Sequence, residues 1–298
     1  MAHHTEKSYQ ERLNRVLVHI QENLDEPLSL DDLAAVAHFS PFHFHRMFSG
    51  MVGESVKEYV RRLRLERAAA KLRFSSLAVT DISAMAGFDS QSAFTRAFKT
   101  MFSMTPSVYR KLCSGEKPGP TRTCNSQCCA PLGAWATPSG ESLLTPEIQT
   151  IAPIRVAFVR HIGPYMECKP AWEKLCAWAT LRGVLGPDTL FIGVSHDDPE
   201  VTPPEKLRYD ACITVSPDVG PDGRVGVQTV GGGEYATAVH KGPYQGLFGA
   251  YAWLCGQWIP AQKREIGTSP TFEHFLNCPD TTPSEELRTR IHVPLEPK

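Results

Sequence analysis

Nowhere in these 298 residues is there an apolar run long enough to cross a bilayer, and Met1 to Gln10 are polar where an export signal needs a hydrophobic stretch. A membrane span and export are therefore not expected, and the expected compartment is the cytoplasm. Charge of one sign is also scarce: 31 Lys+Arg stand against 32 Asp+Glu, leaving a net charge of −1. The chain has no paired Cys-x-x-Cys, no Gly-rich phosphate loop and no Ser-His-Asp constellation, so no cofactor, metal or nucleophilic triad is expected. The cysteines number nine, an odd count scattered along the chain, which fits reduced thiols better than a disulfide framework. Cys124, Cys128 and Cys129 cluster as a redox or metal sensor would need, yet without His ligands nearby.

What is there is repetition. Leu33 to Ser40 (LAAVAHFS) answers to Ile82 to Asp89 (ISAMAGFD) at an offset of 49, and Phe44-His45-Arg46-Met47-Phe48 answers to Phe94-Thr95-Arg96-Ala97-Phe98 at an offset of 50. Each copy has the pattern of a helix-turn-helix unit. Helical spacing runs from about Tyr9 to Leu24, and Pro27 stops it. Ser29 caps a short helix ending near His38, and Ser40 caps the next, with Pro41 at its first position, where a missing N–H costs nothing. Ser55 to Arg73 spaces Val56, Tyr59, Val60, Leu63, Ala68 and Leu72 on one face, a rigid connector between the copies. The second copy runs from Thr80 to about Lys111, closing on a short helix opened by Pro106. Residues 1–112 carry 15 Lys+Arg against 12 Asp+Glu, a mildly basic half joined to a mildly acidic one.

A helix that probes a DNA groove needs polar or forked side chains outward and apolar anchors behind. In the first copy Phe44, Met47 and Phe48 are the anchors, which leaves Phe42, His43, His45, Arg46 and Ser49 outward. In the second, Phe94, Ala97 and Phe98 anchor, which leaves Gln91, Ser92, Thr95, Arg96 and Lys99 outward, with Ser90 as the cap. Arg46 and Arg96 occupy equivalent positions; recurrence favours bidentate contact with guanine over phosphate contact. His45 stays open between a base or phosphate donor and a surface imidazole.

The stretches PLSLDDLAAVAHFSPFHFHRMFSGMVGESVKEYVRRLRLERAAAKL and ISAMAGFDSQSAFTRAFKTMFSMTPSVYRK resemble the AraC/XylS family of transcription regulators. The resemblance implies an all-α DNA-binding domain over residues 8–112, with both recognition helices entering successive major-groove segments of promoter DNA about 34 Å apart. Double-stranded DNA and RNA polymerase are the partners it implies.

Residues 113–147 are punctuated by Pro and Gly and form the expected linker. From 148 to 296 the chain doubles again: HIGPY at 161–165 matches HKGPY at 240–244 at an offset of 79, and TPPEKLR at 202–208 matches TPSEELR at 282–288 at 80. Each copy has a strand, a Gly-Pro-Tyr corner, an aromatic-bearing helix and further strands, which predicts an α+β domain with an internal pseudo-twofold repeat and a groove along its axis. His161 and His240, beside the corners, are expected to orient backbone.

Both H-x-GPY segments and SPTFEHFLNCPDTTPSEELRTRIHVPL resemble the gyrase-inhibitor-like effector domain of multidrug-sensing regulators. That resemblance implies an aromatic groove for amphipathic, often cationic, effectors, with Glu273 of the TFE segment at its centre. Tyr165, Trp172, Tyr244, Tyr251, Trp253, Trp258, Phe272 and Phe275 are the rings available to line it or to serve as core. The expected whole is a DNA-binding regulator, an activator, responsive to such an effector and not an enzyme. The alternatives are an effector domain that hydrolyses reactive electrophiles with Glu273 as general base, as some relatives of this domain do, and a ligand-free architectural or gyrase-interacting protein.

Overall fold

The computed structural model describes residues 2–114, 144–199 and 201–297. Its helical half runs α1 (Ala2–Glu22), α2 (Leu30–Val36), α3 (Pro41–Val52), α4 (Val56–Phe74), α5 (Val79–Met85), α6 (Gln91–Phe102) and α7 (Pro106–Cys113). The caps explain the boundaries. The hydroxyls of Ser29, Ser40, Ser55, Ser90 and Thr105 each accept a backbone N–H of the first turn of α2, α3, α4, α6 and α7. Ser55 and Glu58 satisfy each other's backbone in a capping box, the strongest start signal in this half. α1 starts seven residues before the expected Tyr9, and α5 begins with no side-chain cap at Ala78.

α4 has two inward faces instead of the single one that its spacing suggests. Val56, Tyr59, Val60 and Leu63 bury against α1, α2 and α3, whereas Leu65, Ala68, Ala69 and Leu72 bury against α5, α6 and α7. One helix therefore belongs to two cores. At 1.5 Å per residue its 19 residues span roughly 28 Å, comparable with one turn of duplex DNA.

The second half is an eight-stranded antiparallel sheet of β1 (Glu147–Ile151), β2 (Ile154–Ile162), β3 (Phe191–Ser195), β4 (Arg208–Thr214), β5 (Gly226–Val230), β6 (Gly233–Lys241), β7 (Thr271–Phe275) and β8 (Arg288–Pro294). The order is β1-β6-β8-β7-β3-β4-β2-β5, which reads the same from either edge when the two halves are exchanged. β3 and β7 meet at the middle, with Gly193 opposite Glu273. Helix α8 (Lys169–Arg182) packs on β2 and β4, and α9 (Leu247–Trp253) runs on through a π turn, Leu254–Trp258. β1 and β5, which flank the sheet, were not expected from sequence. Cys124, Cys128 and Cys129 lie outside the described residues.

The halves dock through polar contacts. Glu11 of α1 accepts the Gly223 N–H at 2.6 Å, Asn14 donates to the Arg224 carbonyl at 3.2 Å, and Lys7 pairs with Asp222. Arg160 of β2 forms a buried ion pair with Asp210 and reaches Gln21 of α1 at 3.2 Å. From α4, Lys71 pairs with Glu296, Arg73 with Asp198, and the Tyr59 hydroxyl accepts from Arg208.

Candidate DNA-reading surface and effector groove

On α3 the anchors Phe44, Met47 and Phe48 are buried, and Phe42, His43, His45 and Arg46 are exposed. Phe42 is 73% exposed, with the Arg46 guanidinium over its ring at 5.6 Å. His43 is already engaged: its Nε2 lies 2.9 Å from the Tyr9 hydroxyl, and its ring lies 4.7 Å from that of Phe39. Ser49 departs from expectation. It is half-buried with an enclosed hydroxyl, because α3 closes onto α4 at this end, where Phe48 meets the edge of Tyr59.

On α6, Phe94, Ala97 and Phe98 are buried, and Gln91, Ser92, Arg96 and Lys99 are exposed, with Thr95 half-buried beside them. Ser90 caps the helix through Ala93 N–H, and its hydroxyl lies 3.1 Å from that of Ser92. The turns before α3 and α6 each pass through a positive φ, at His38 (54°) in one unit and Gly87 (69°) in the other. Arg64 fastens α4 to the chain after α1 through the carbonyls of Leu24 and Glu26, and its guanidinium fills the space a side chain at position 87 would need.

The groove lies over the middle of the sheet, and Glu273 sits at its floor. It is 5% exposed, its Oε1 accepting from the Tyr251 hydroxyl at 2.8 Å and from Ser195 Oγ at 3.4 Å. Burial pushes its carboxyl up to about 7, against the opposing effect of those two donors. Across the seam, a Cβ at Gly193 would collide with the Tyr209 hydroxyl and lie 2.8 Å from Glu273 Oε2, so this position accommodates glycine only. The space above is a cavity of about 2080 Å³ that also reaches α4 between the domains. Tyr165, Trp172, Tyr244, Tyr251 and Phe275 line it, with Phe191 and Tyr209. Phe275 meets Trp172 and Tyr244 edge-on at 5.6 and 5.5 Å.

Three expected rings are elsewhere. Phe272 is 1% exposed in the core, stacked on His292 at 4.0 Å, because alternate residues of β7 face opposite sides of the sheet and Glu273 takes the groove side. Trp253 and Trp258 pack against the Ala236–Ile291–Val293 core; Trp253 stands two positions, about 200° of helix, from the groove-facing Tyr251, and Trp258 closes the π turn, which inserts a residue and shifts the helical phase. Conversely, Gly193, Ser195, Phe191 and Tyr209 were not singled out from sequence. A glycine inside the strand run FIGVS was the available signal, since it marks a close approach. His161 and His240 each reach a Pro carbonyl of their own corner, at 3.0 and 3.2 Å. Among the described residues no helix is long and apolar enough to cross a membrane, and no group of three or more His, Cys, Asp or Glu is arranged to hold a metal.

A model of the GyrI-like small molecule binding domain matches residues 144–296, and a helix-turn-helix domain model matches 33–112. The transcriptional regulator Rob of Salmonella typhimurium is 44% identical over 96 residues, 32% of this chain and 33% of that protein. The HTH-type transcriptional activator AarP of Providencia stuartii is 40% identical over 98 residues, 33% of this chain and 73% of AarP. The match thus spans about a third of the length of Rob. Among solved structures, the EcmrR C-terminal domain is similar at 21% identity over 52% of this chain and 98% of its own, with a TM-score of 0.44. The chain belongs to the GyrI-like small-molecule-binding family and joins that domain to an AraC-type helix-turn-helix module.

Proposed function

We propose that this protein is a sequence-specific transcription regulator, an activator, that engages promoter DNA through α3 and α6 and responds to an amphipathic cation held in the groove over Glu273. The observation that carries the effector half is a desolvated carboxylate, beside aromatic rings, whose hydrogen-bond donors are the hydroxyls of Tyr251 and Ser195, not a guanidinium or ammonium group. A buried charge is costly alone and stable when an organic cation neutralises it, and ring faces add roughly 0.5–2 kcal/mol each by cation–π attraction. Glu273 supplies the charge, and Trp172, Tyr244, Tyr251 and Phe275 supply the rings. On the DNA side, exposed Arg46 and Arg96 stand on equivalent turns of two helices at either end of α4. RNA polymerase is the partner an activator of this kind requires.

A second reading keeps Glu273 as a general base on water, for which a carboxyl raised to about 7 is well matched at neutral pH. One experiment separates the two. The protein is titrated with tetraphenylphosphonium by calorimetry, and with a strained electrophile whose hydrolysis is followed over time. Expected are saturable binding that falls by one to two orders of magnitude in Glu273→Gln, as for loss of one buried charged contact of about 1.5–3 kcal/mol, and no turnover. Turnover that disappears in the variant would establish the hydrolase, and absence of binding by any amphipathic cation tried would leave the architectural reading.

A further inference from the structure

Between the groove and the first recognition helix runs a line of buried polar contacts, from Asp197 and Arg208 at the groove's edge to Tyr59 of α4. We infer that the Asp197–Arg208 pair and Tyr59 are positioning residues that transmit effector binding to α3; this rests on the effector-sensing reading above. The groove touches the pair from both sides. Tyr165, in the groove wall, donates its hydroxyl proton to the Asp197 carbonyl at 2.6 Å and accepts the Asp197 N–H at 3.1 Å. Tyr209, whose ring lies 5.9 Å from that of Tyr165, follows Arg208 directly in β4.

The pair itself is stiff. Asp197 accepts the Arg208 backbone N–H at 2.7 Å, its Nη2 at 2.6 Å and its Nε at 3.0 Å, and both side chains are under one-tenth exposed. The nearby guanidinium holds the Asp197 carboxyl below its usual range despite its burial. Breaking a buried pair leaves an uncompensated charge, so the two move as a unit. From Arg208, Nη1 donates to the Tyr59 hydroxyl at 3.4 Å, and the Tyr59 ring stands edge-on to Phe48 at 5.5 Å and 77°. Phe48 is an anchor of α3, two residues beyond Arg46. A displacement of Tyr165 or Tyr209 by a ligand therefore reaches the DNA-facing helix through four side chains. A second strut, Lys206 to Glu54 at 3.4 Å, joins the same two regions, but its lysine is 40% exposed and screened by salt.

Coupling exists only if effector and DNA prefer different arrangements of this line, and it is measured as the factor by which one ligand changes the affinity of the other. The test uses the full chain, an operator enriched from randomised duplexes and tetraphenylphosphonium as probe. Saturating probe is expected to change operator affinity of the unmodified protein by about 5–150-fold, the usual range of allosteric coupling. Tyr59→Phe removes only the acceptor oxygen and keeps the ring on Phe48. It is expected to leave probe affinity and probe-free operator affinity near those of the unmodified protein while the coupling factor falls toward one. Arg208→Lys, which cannot hold Asp197 and Tyr59 together, should also bring the coupling factor toward one if it folds. Hydrogen exchange supplies the structural readout: probe should alter protection of α3 amides in the unmodified protein and not in Tyr59→Phe. An unchanged coupling factor in Tyr59→Phe overturns the relay alone. Failure of the unmodified protein to bind the probe overturns the sensing reading and the relay with it.

Discussion

At the residue scale, Glu273 is set apart by having its protonation and its partner decided by the same burial. A carboxyl raised to about 7 favours the neutral form in the folded chain, whereas the unfolded chain titrates near 4.5. Its contribution to stability is thus fully present below pH 4.5 and is lost as the pH rises toward 7. A cationic effector demands the opposite form. Affinity for tetraphenylphosphonium should rise about tenfold per pH unit below 7 and level off above it, with release of one proton on binding. Calorimetry in buffers of different ionisation enthalpy checks this, and Glu273→Gln should give a flat profile. A profile flat in the unmodified protein would remove the carboxylate from the binding step.

At the scale of the element, α3 and α6 present the same design with different detail. Truncating the forked donor on either helix, Arg46→Ala or Arg96→Ala, should cost roughly 1–3 kcal/mol and relax base preference at one position of the selected site. Selection from randomised duplexes with each variant reads this out; uniform weakening across all sequences would place the side chain on phosphate. Elements whose signal is local were legible in the chain. The caps at Ser29, Ser40 and Ser90, Pro41 and Pro106 at helix starts, and the buried Phe-x-x-x-Phe anchors of both helices all come from spacing. What depended on a neighbour was not. Ser49 has an outward helical phase yet is enclosed by α4, and Trp258 is turned by a π turn that no periodicity records. Phe272 is different, since strict alternation along TFEHF separates it from Glu273 and Phe275. β1 and β5 escaped notice as short segments that gain their place from pairing with β6 and β2.

At the scale of the whole molecule, α4 fixes the separation of α3 and α6, the helices proposed to read DNA, because its ends are built into different cores. Rigid spacing of this kind demands rigid spacing in the site. Inserting five base pairs between the two contacted segments turns one of them to the far side of the duplex. Operator affinity should fall to the level of random DNA, whereas ten added base pairs restore the face but exceed the reach of roughly 28 Å. Electrophoretic mobility shifts at fixed ionic strength measure both, and tolerance of the five-base-pair insertion would mean that the two units move independently. The groove's position was foreseeable from the doubled HxGPY segments, but its extension to α4 was not, because contacts between the halves pair residues more than a hundred positions apart, such as Tyr59 with Arg208.

The seam of the sheet carries one further consequence. Gly193 and Glu273 hold matching places in the two halves, eighty residues apart and directly across from each other, yet one bears an acid and the other bears nothing. At the centre of the sheet the acid therefore stands on one strand of the pair alone. If the groove takes a cation as proposed, a guest with two equivalent charged ends would meet this carboxylate with one of them only, and a guest with one such end would be turned by it.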